Sequence, residues 1–225
     1  MSEQEHWLET DEAETKLIVF GPPAFAADFA NQLETALETG AVAAFVLDPA
    51  ALADAPTGHE ADALQAACRR NGAALFLLDD ARMARQIDAD GVHLRDPETV
   101  EAARAMLGGE RLIGVSCGLS RHLAMVAGEA GADYVMFGAL EGSAAPDHPT
   151  PDAPAGVDQL AETAAWWNDL FVLPVAVASG PSAETAQALV RAGAAFLAIQ
   201  GDAALAAVAR TLAATIREAG SGTQG

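Results

Sequence analysis

"ADGVHLRDPETVEAARAMLGGERLIGVS", residues 89–116, reads as a strand, an acidic loop, a helix and a second strand. Gly91-Val92-His93-Leu94 is a short apolar run of the kind a buried strand makes. Pro97 suits the first turn of a helix, and Gly108-Gly109 stops that helix before Leu112-Ile113-Gly114-Val115. Strand, loop, helix, strand is one turn of a parallel α/β winding. Such folds collect their chemistry in the loops after strand C-termini. Here those loops are Arg95 to Glu98 and Ser116 to Gly118.

The same rhythm extends in both directions. Strands are predicted at Leu17–Phe20, Val42–Leu47, Ala74–Leu78, Gly91–Leu94, Leu112–Val115, Tyr134–Phe137, Pro174–Ala178 and Phe196–Ile199. Helices are predicted at Ala24–Thr39, Ala61–Asn71, Ala81–Asp88, Pro97–Leu107, Ser120–Ala130, Val157–Asn168, Ser182–Ala192 and Ala203–Glu218. The strands are almost continuously apolar, as a sheet covered on both faces requires. Strict alternation in one chain of 225 residues predicts a single-domain (β/α)₈ TIM barrel. A doubly wound sheet is the alternative, but nothing marks the strand-order reversal it needs. The barrel is assigned to residues 16–219, with an acidic N-terminal tail at 1–15 and a flexible C-terminal tail at 220–225. The longest irregular stretch, "EGSAAPDHPTPDAP" at 141–154, reads as a mobile loop after the sixth strand.

Charge narrows the partners. Thirty-two acids against twelve bases leave a net −20, which argues against nucleic acid and anionic membranes. A phosphorylated ligand would need a metal ion or a local arginine cluster to offset that field. No apolar run reaches the length of a membrane span, and the opening residues are acidic, unlike a signal peptide. Two cysteines, Cys68 and Cys117, make no disulfide framework, so a cytoplasmic setting is expected, although one disulfide stays open. Lys16 is the only lysine. The adjacent Trp166 and Trp167 cannot share one helix stripe, so one is expected in the core and the other at a homo-oligomer contact.

Several motifs fall in a familiar order. "LFLLDDARMARQIDADGVHLRDPETVEAARAMLGGERLIGVS" is followed by "AGADYVMFGAL", "LPVAVASG" and "RAGAAFLAIQGDA". Together they resemble the thiamine phosphate synthase family, which includes the TenI-type proteins. The resemblance implies a TIM barrel that joins a hydroxymethylpyrimidine diphosphate to a thiazole phosphate and releases pyrophosphate, with Mg²⁺ holding the diphosphate. It places Asp79 and Glu98 on the family's two metal-binding carboxylates and Ser116 on a serine that contacts the diphosphate. Ser143, Ser179, Gly180, Gln200 and Gly201 fall in the substrate-binding loops, and the partners implied are small thiamine precursors. Plain structural roles are open beside these. Asp79 and Glu98 could cap the helices that follow, and Ser116 could be a turn residue. His93, alone on an apolar strand, reads as a hydrogen-bonded core residue.

Departures from the family pattern are many. Phe45, Leu47 and Pro49 align with its Gln-x-Arg-x-Lys motif, so the mouth is expected to be apolar at Phe45, Leu47 and Leu78. Ser143 to Pro146 replaces a Thr-x-Thr-Lys loop, Ser179-Gly180-Pro181 replaces a Gly-Gly turn, and Asp202 puts an acid where phosphate would sit. Arg82 and Arg95 could compensate, or could form surface pairs with Asp80, Asp96 or Glu98. Weak synthase activity is the expectation. The alternatives are a non-catalytic barrel that binds a small neutral ligand or a partner protein, and a TenI-like thiazole isomerase. The isomerase would need an acid–base group such as His122 or His148 near the mouth.

Overall fold

The structure, a computed structural model, describes residues 14–52, 60–140, 155–178, 180 and 182–221. Eight parallel strands close in sequence order into a barrel. They are β1 (Lys16–Phe20), β2 (Val42–Leu47), β3 (Ala74–Leu78), β4 (Gly91–Leu94), β5 (Leu112–Ser116), β6 (Tyr134–Phe137), β7 (Val175–Ala178) and β8 (Phe196–Gln200). The intervening helices are α1 (Phe29–Leu37), α2 (Glu60–Arg70), α3 (Ala81–Gln86), α4 (Val100–Leu107), α5 (Arg121–Glu129), α6 (Val157–Leu170), α7 (Ala183–Arg191) and α8 (Leu205–Ser221). The TIM-barrel prediction is met. Helix α8 runs to Ser221, beyond the start of the expected C-terminal tail. The expected acidic tail up to residue 13, the expected mobile loop with Ser143, and Ser179 lie outside the described residues.

Strand alternation sorts the apolar residues into two layers. Leu17, Val19, Phe45, Leu47, Leu75, Leu77, Val92 and Leu94 point outward and pack under the helices. Ile18, Phe20, Ala44, Val46, Phe76, Leu78, Tyr134, Met136, Phe196 and Ala198 fill the barrel interior. Two glycines make room for the large rings inside. A Cβ on Gly91 would stand 2.3 Å from the Leu112 carbonyl oxygen and 2.6 Å from the Phe76 ring. A Cβ on Gly114 would stand 2.0 Å from Tyr134.

The first helix differs from its prediction. Its pattern suggests a start at Ala24, yet α1 begins at Phe29. Pro22, Pro23, Ala24, Ala26 and Asp28 instead border a cleft beside the β8 loop, and Phe25 stacks on Phe29 with ring centroids 4.8 Å apart. Trp167 is buried and donates its indole N–H to the Leu173 carbonyl at 2.7 Å. Trp166 is partly buried, with the Arg121 guanidinium 4.4 Å from its ring centroid. Both cysteines are buried and free, and burial pushes each thiol pKa up to about 12. Among the described residues, no helix is long and apolar enough to cross a membrane.

Candidate active site at the barrel mouth

Asp79, Arg95, Ser116 and Gln200 all follow or end strands, so the fold brings them to one rim, the C-terminal mouth. Asp79 leaves β3 in the left-handed region at φ 55, which aspartate tolerates better than most residues. Its N–H donates to the His93 carbonyl at 2.9 Å, which ties the turn to β4. Oδ1 accepts the Arg95 backbone N–H at 2.7 Å, and Oδ2 pairs with the Arg95 guanidinium. Of the two candidate arginines, Arg95 therefore holds the carboxylate aligned with the metal position, while Arg82 is exposed on α3.

Helix capping falls to other acids than Asp79 and Glu98. Asp80 accepts the Met83 N–H at 2.7 Å and caps α3. Asp96 accepts the Glu98 N–H at 2.9 Å and caps the 3-10 turn Pro97–Thr99. Glu98 itself is exposed on that turn. Mg²⁺ favours a near-octahedral oxygen shell, usually with several waters and one or two carboxylates. Asp79 has both oxygens engaged by Arg95. Among the described residues no group of three His, Cys, Asp or Glu side chains comes together to hold a metal. The side chains as arranged do not fit the ion.

Ser116 ends β5 facing inward, in register with Met136, and is only 5% exposed. Its Oγ lies 2.9 Å from His93 Nε2, and His93 Nδ1 lies 2.7 Å from the Tyr134 hydroxyl. Full burial lowers the His93 pKa to about 3 and raises that of Tyr134. The imidazole is therefore neutral, with one donor and one acceptor, and these match its two hydroxyl partners in either tautomer. When Nε2 carries the proton, it donates to Ser116 and leaves the serine hydroxyl proton for another acceptor. His93 is thus the core residue expected. What sequence reading missed was Tyr134, the only tyrosine in the chain, whose reach depends on Gly114.

Two expectations about the mouth need correction. Phe45 and Leu47 do not line it, because both point outward into the helix layer, and Phe45 packs on Phe29 with centroids 6.0 Å apart. The inward residues of β2 are Ala44 and Val46, and Asp48 continues their phase at the rim. Leu78 does face inward as expected. Cys117, one residue past the inward Ser116, belongs to the outer layer. Histidine offers little more, since His122 is exposed in the first turn of α5 and His148 lies outside the described residues.

Across the mouth, Gln200 donates through Nε2 to the Phe20 and Gly21 carbonyls at 3.3 Å each. Its Oε1 is buried with no hydrogen-bond partner among the described residues. The Gly201 N–H donates to the Phe20 carbonyl at 2.7 Å. Asp202 Oδ1 accepts the Ala204 N–H at 2.7 Å. These residues border a cleft of about 170 Å³ whose other walls include Pro22, Pro23, Asp28 and Phe29. Gly180 lies exposed between β7 and α7, where Ser182 caps the helix by accepting the Thr185 N–H at 3.1 Å.

Comparison with known proteins agrees with this geometry. Residues 17–203 match the family model described as thiamine monophosphate synthase. A thiamine-phosphate synthase of Erythrobacter litoralis is 39% identical over 193 residues, covering 84% of this chain and 88% of that protein. One from Rhodospirillum centenum is 37% identical, covering 83% and 87%. In fold, a thiamine phosphate pyrophosphorylase from Pyrococcus furiosus superposes with a TM-score of 0.68 at 24% identity, covering 91% and 96%.

Proposed function

The chain belongs to the thiamine monophosphate synthase family, and from that premise we propose that it is a weakened synthase. It would join the pyrimidine diphosphate to the thiazole phosphate at the C-terminal mouth. Ser116, oriented by His93, would donate to a diphosphate oxygen, and Arg95 would offset its charge. Gly180, Gln200 and Gly201, with Ser143 and Ser179, would border the substrates. A cytoplasmic setting suits two free, buried thiols.

One observation carries the word weakened. Barrels of this class offer free N–H groups to phosphate near the loops after strands seven and eight. Here Asp202 takes the Ala204 N–H with its own carboxylate, at 2.7 Å. A phosphate must displace that oxygen and approach its charge. Val46 and Asp48 add to the effect across the rim, since neither supplies a cationic donor. Each missing charge-assisted bond is worth about 1.5–3 kcal/mol, or roughly tenfold or more in rate.

The assay is direct. With both precursors, and with and without Mg²⁺, the purified chain should form thiamine phosphate roughly a hundredfold or more slowly than the Erythrobacter litoralis relative. Equal rates would overturn the reading. The cleft favours a second reading, because Asp28 and Asp202 disfavour phosphate while Pro22, Pro23 and Phe29 offer apolar faces. A non-catalytic binder of a small neutral ligand would then prefer the unphosphorylated thiazole alcohol to its phosphate. The weakened synthase would prefer the phosphate.

A further inference from the structure

Asp79 has both carboxylate oxygens engaged by one residue. Arg95 reaches it through the backbone N–H, at 2.7 Å to Oδ1, and through its guanidinium at Oδ2. Two features build this contact into the fold. Arg95 lies two positions beyond His93, so it keeps the inward phase of β4 past the end of the strand. Asp79 is turned toward it by a left-handed backbone, pinned through its own N–H to the His93 carbonyl. The two side chains are 34% and 32% exposed, which puts the pair at the rim, within reach of a ligand.

These donors take two of the roughly four lone-pair positions on the Asp79 carboxylate, and the guanidinium charge beside it repels a divalent ion. Mg²⁺ on Asp79 and Glu98 would bring the local charge to zero, and Arg95 on Asp79 does the same for that pair without a coordination shell. A guanidinium stays protonated at any ordinary pH, and its planar N–H groups match phosphate geometry. We propose that Arg95 takes the metal's place at Asp79, so that the mouth carries its cation as a guanidinium and meets phosphate oxygens without a divalent ion. The phosphate half rests on the synthase reading above; the metal half does not.

Two titrations of the full chain test the halves separately. In the first, Mn²⁺ is added and its electron paramagnetic resonance signal reports binding. The unmodified chain should show no Asp79-dependent site. Arg95→Gly should gain one, as should Arg95→Gln, which keeps side-chain length should the glycine variant fold poorly. Adding Asp79→Asn should abolish the gain. Mn²⁺ binding by the unmodified chain that Asp79→Asn removes would overturn the proposal, and so would the absence of any gain in both Arg95 variants. In the second, inorganic pyrophosphate is titrated calorimetrically in a chelator. Binding that weakens at least tenfold in Arg95→Gln supports the proposal, whereas binding only after Mg²⁺ is restored overturns it. If pyrophosphate binds under neither condition, the phosphate half and the synthase reading fall together, and the Mn²⁺ result alone decides what holds Asp79.

Discussion

The β3–β5 side of the mouth and the β8–β2 side arise from the same alternation of inward strand residues, yet their chemistry is opposite. On the first side the strand-end polar groups are paired: Asp79 with Arg95, and Ser116 with His93 and Tyr134. On the second, Ala44 and Val46 supply hydrocarbon, Gln200 keeps one oxygen without a partner among the described residues, and Asp202 takes the Ala204 N–H with its own carboxylate. Both sides are built into the barrel's packing at the strand level, and they differ in the polar groups carried at the strand ends.

The sharpest test of that division separates adjacent residues of β2. Phe45→Gln should cost about 4 kcal/mol, because it empties a packed aromatic site and buries an amide there. Val46→Gln, one residue on in the barrel interior, also loses a buried side chain but extends toward the mouth, so it should cost less, about 1–2 kcal/mol, and should strengthen pyrophosphate binding. Chemical denaturation of both variants checks this, and equal losses would mean the two strand faces have been confused.

Gly114→Ala comes next. The added methyl would collide with Tyr134, so a loss of about 3 kcal/mol is expected, seen as a fall of roughly 6–12 °C in Tm. An unchanged Tm would show that the Tyr134–His93–Ser116 chain is not locked by packing.

The pH dependence probes the same side more gently. His93 has its folded pKa lowered to about 3 by burial, against 6.5 when free. The unfolded chain therefore binds the extra proton between those values, and stability that is complete above pH 6.5 is lost as pH falls toward 3. One proton gives a slope of about 1.4 kcal/mol per pH unit, or roughly 2 kcal/mol between pH 6.5 and 5. Comparing His93→Gln with the unmodified chain by urea unfolding should show the flatter profile in the variant. Parallel profiles would assign the acid sensitivity to other groups.

On the other side of the mouth, Asp202→Ala should tighten binding of the thiazole phosphate by up to about tenfold while costing only the small stability of a lost cap. Calorimetric titration measures it. If affinity does not rise, Asp202 is not what weakens that side, and the comparison between the two sides loses its main support.

Much of this was legible before any coordinates. Val42–Leu47, Ala74–Leu78, Gly91–Leu94 and Tyr134–Phe137 emerge with the boundaries predicted for them, because buried parallel strands are unbroken apolar runs between polar loops. The acids after β3 and β4 were visible too, although the capping roles went to Asp80 and Asp96. The start of α1 was not, since Phe25 continues the helical spacing while its neighbours Ala24 and Ala26 border a cleft.

By itself, then, the sequence determined the number and order of the elements, the closed parallel winding, and the loops in which chemistry gathers. Those follow from local hydropathy, which the chain carries residue by residue. Tertiary structure decided which way the side chains point and what they meet. A strand covered on both faces shows no polar alternation, so nothing in "VAAFVL" tells Phe45 from Val46 until the barrel closes around one and the helices cover the other. The contacts of Arg95 with Asp79 and of His93 with Ser116 and Tyr134 likewise join separate strands, and only barrel register brings their atoms within hydrogen-bonding reach.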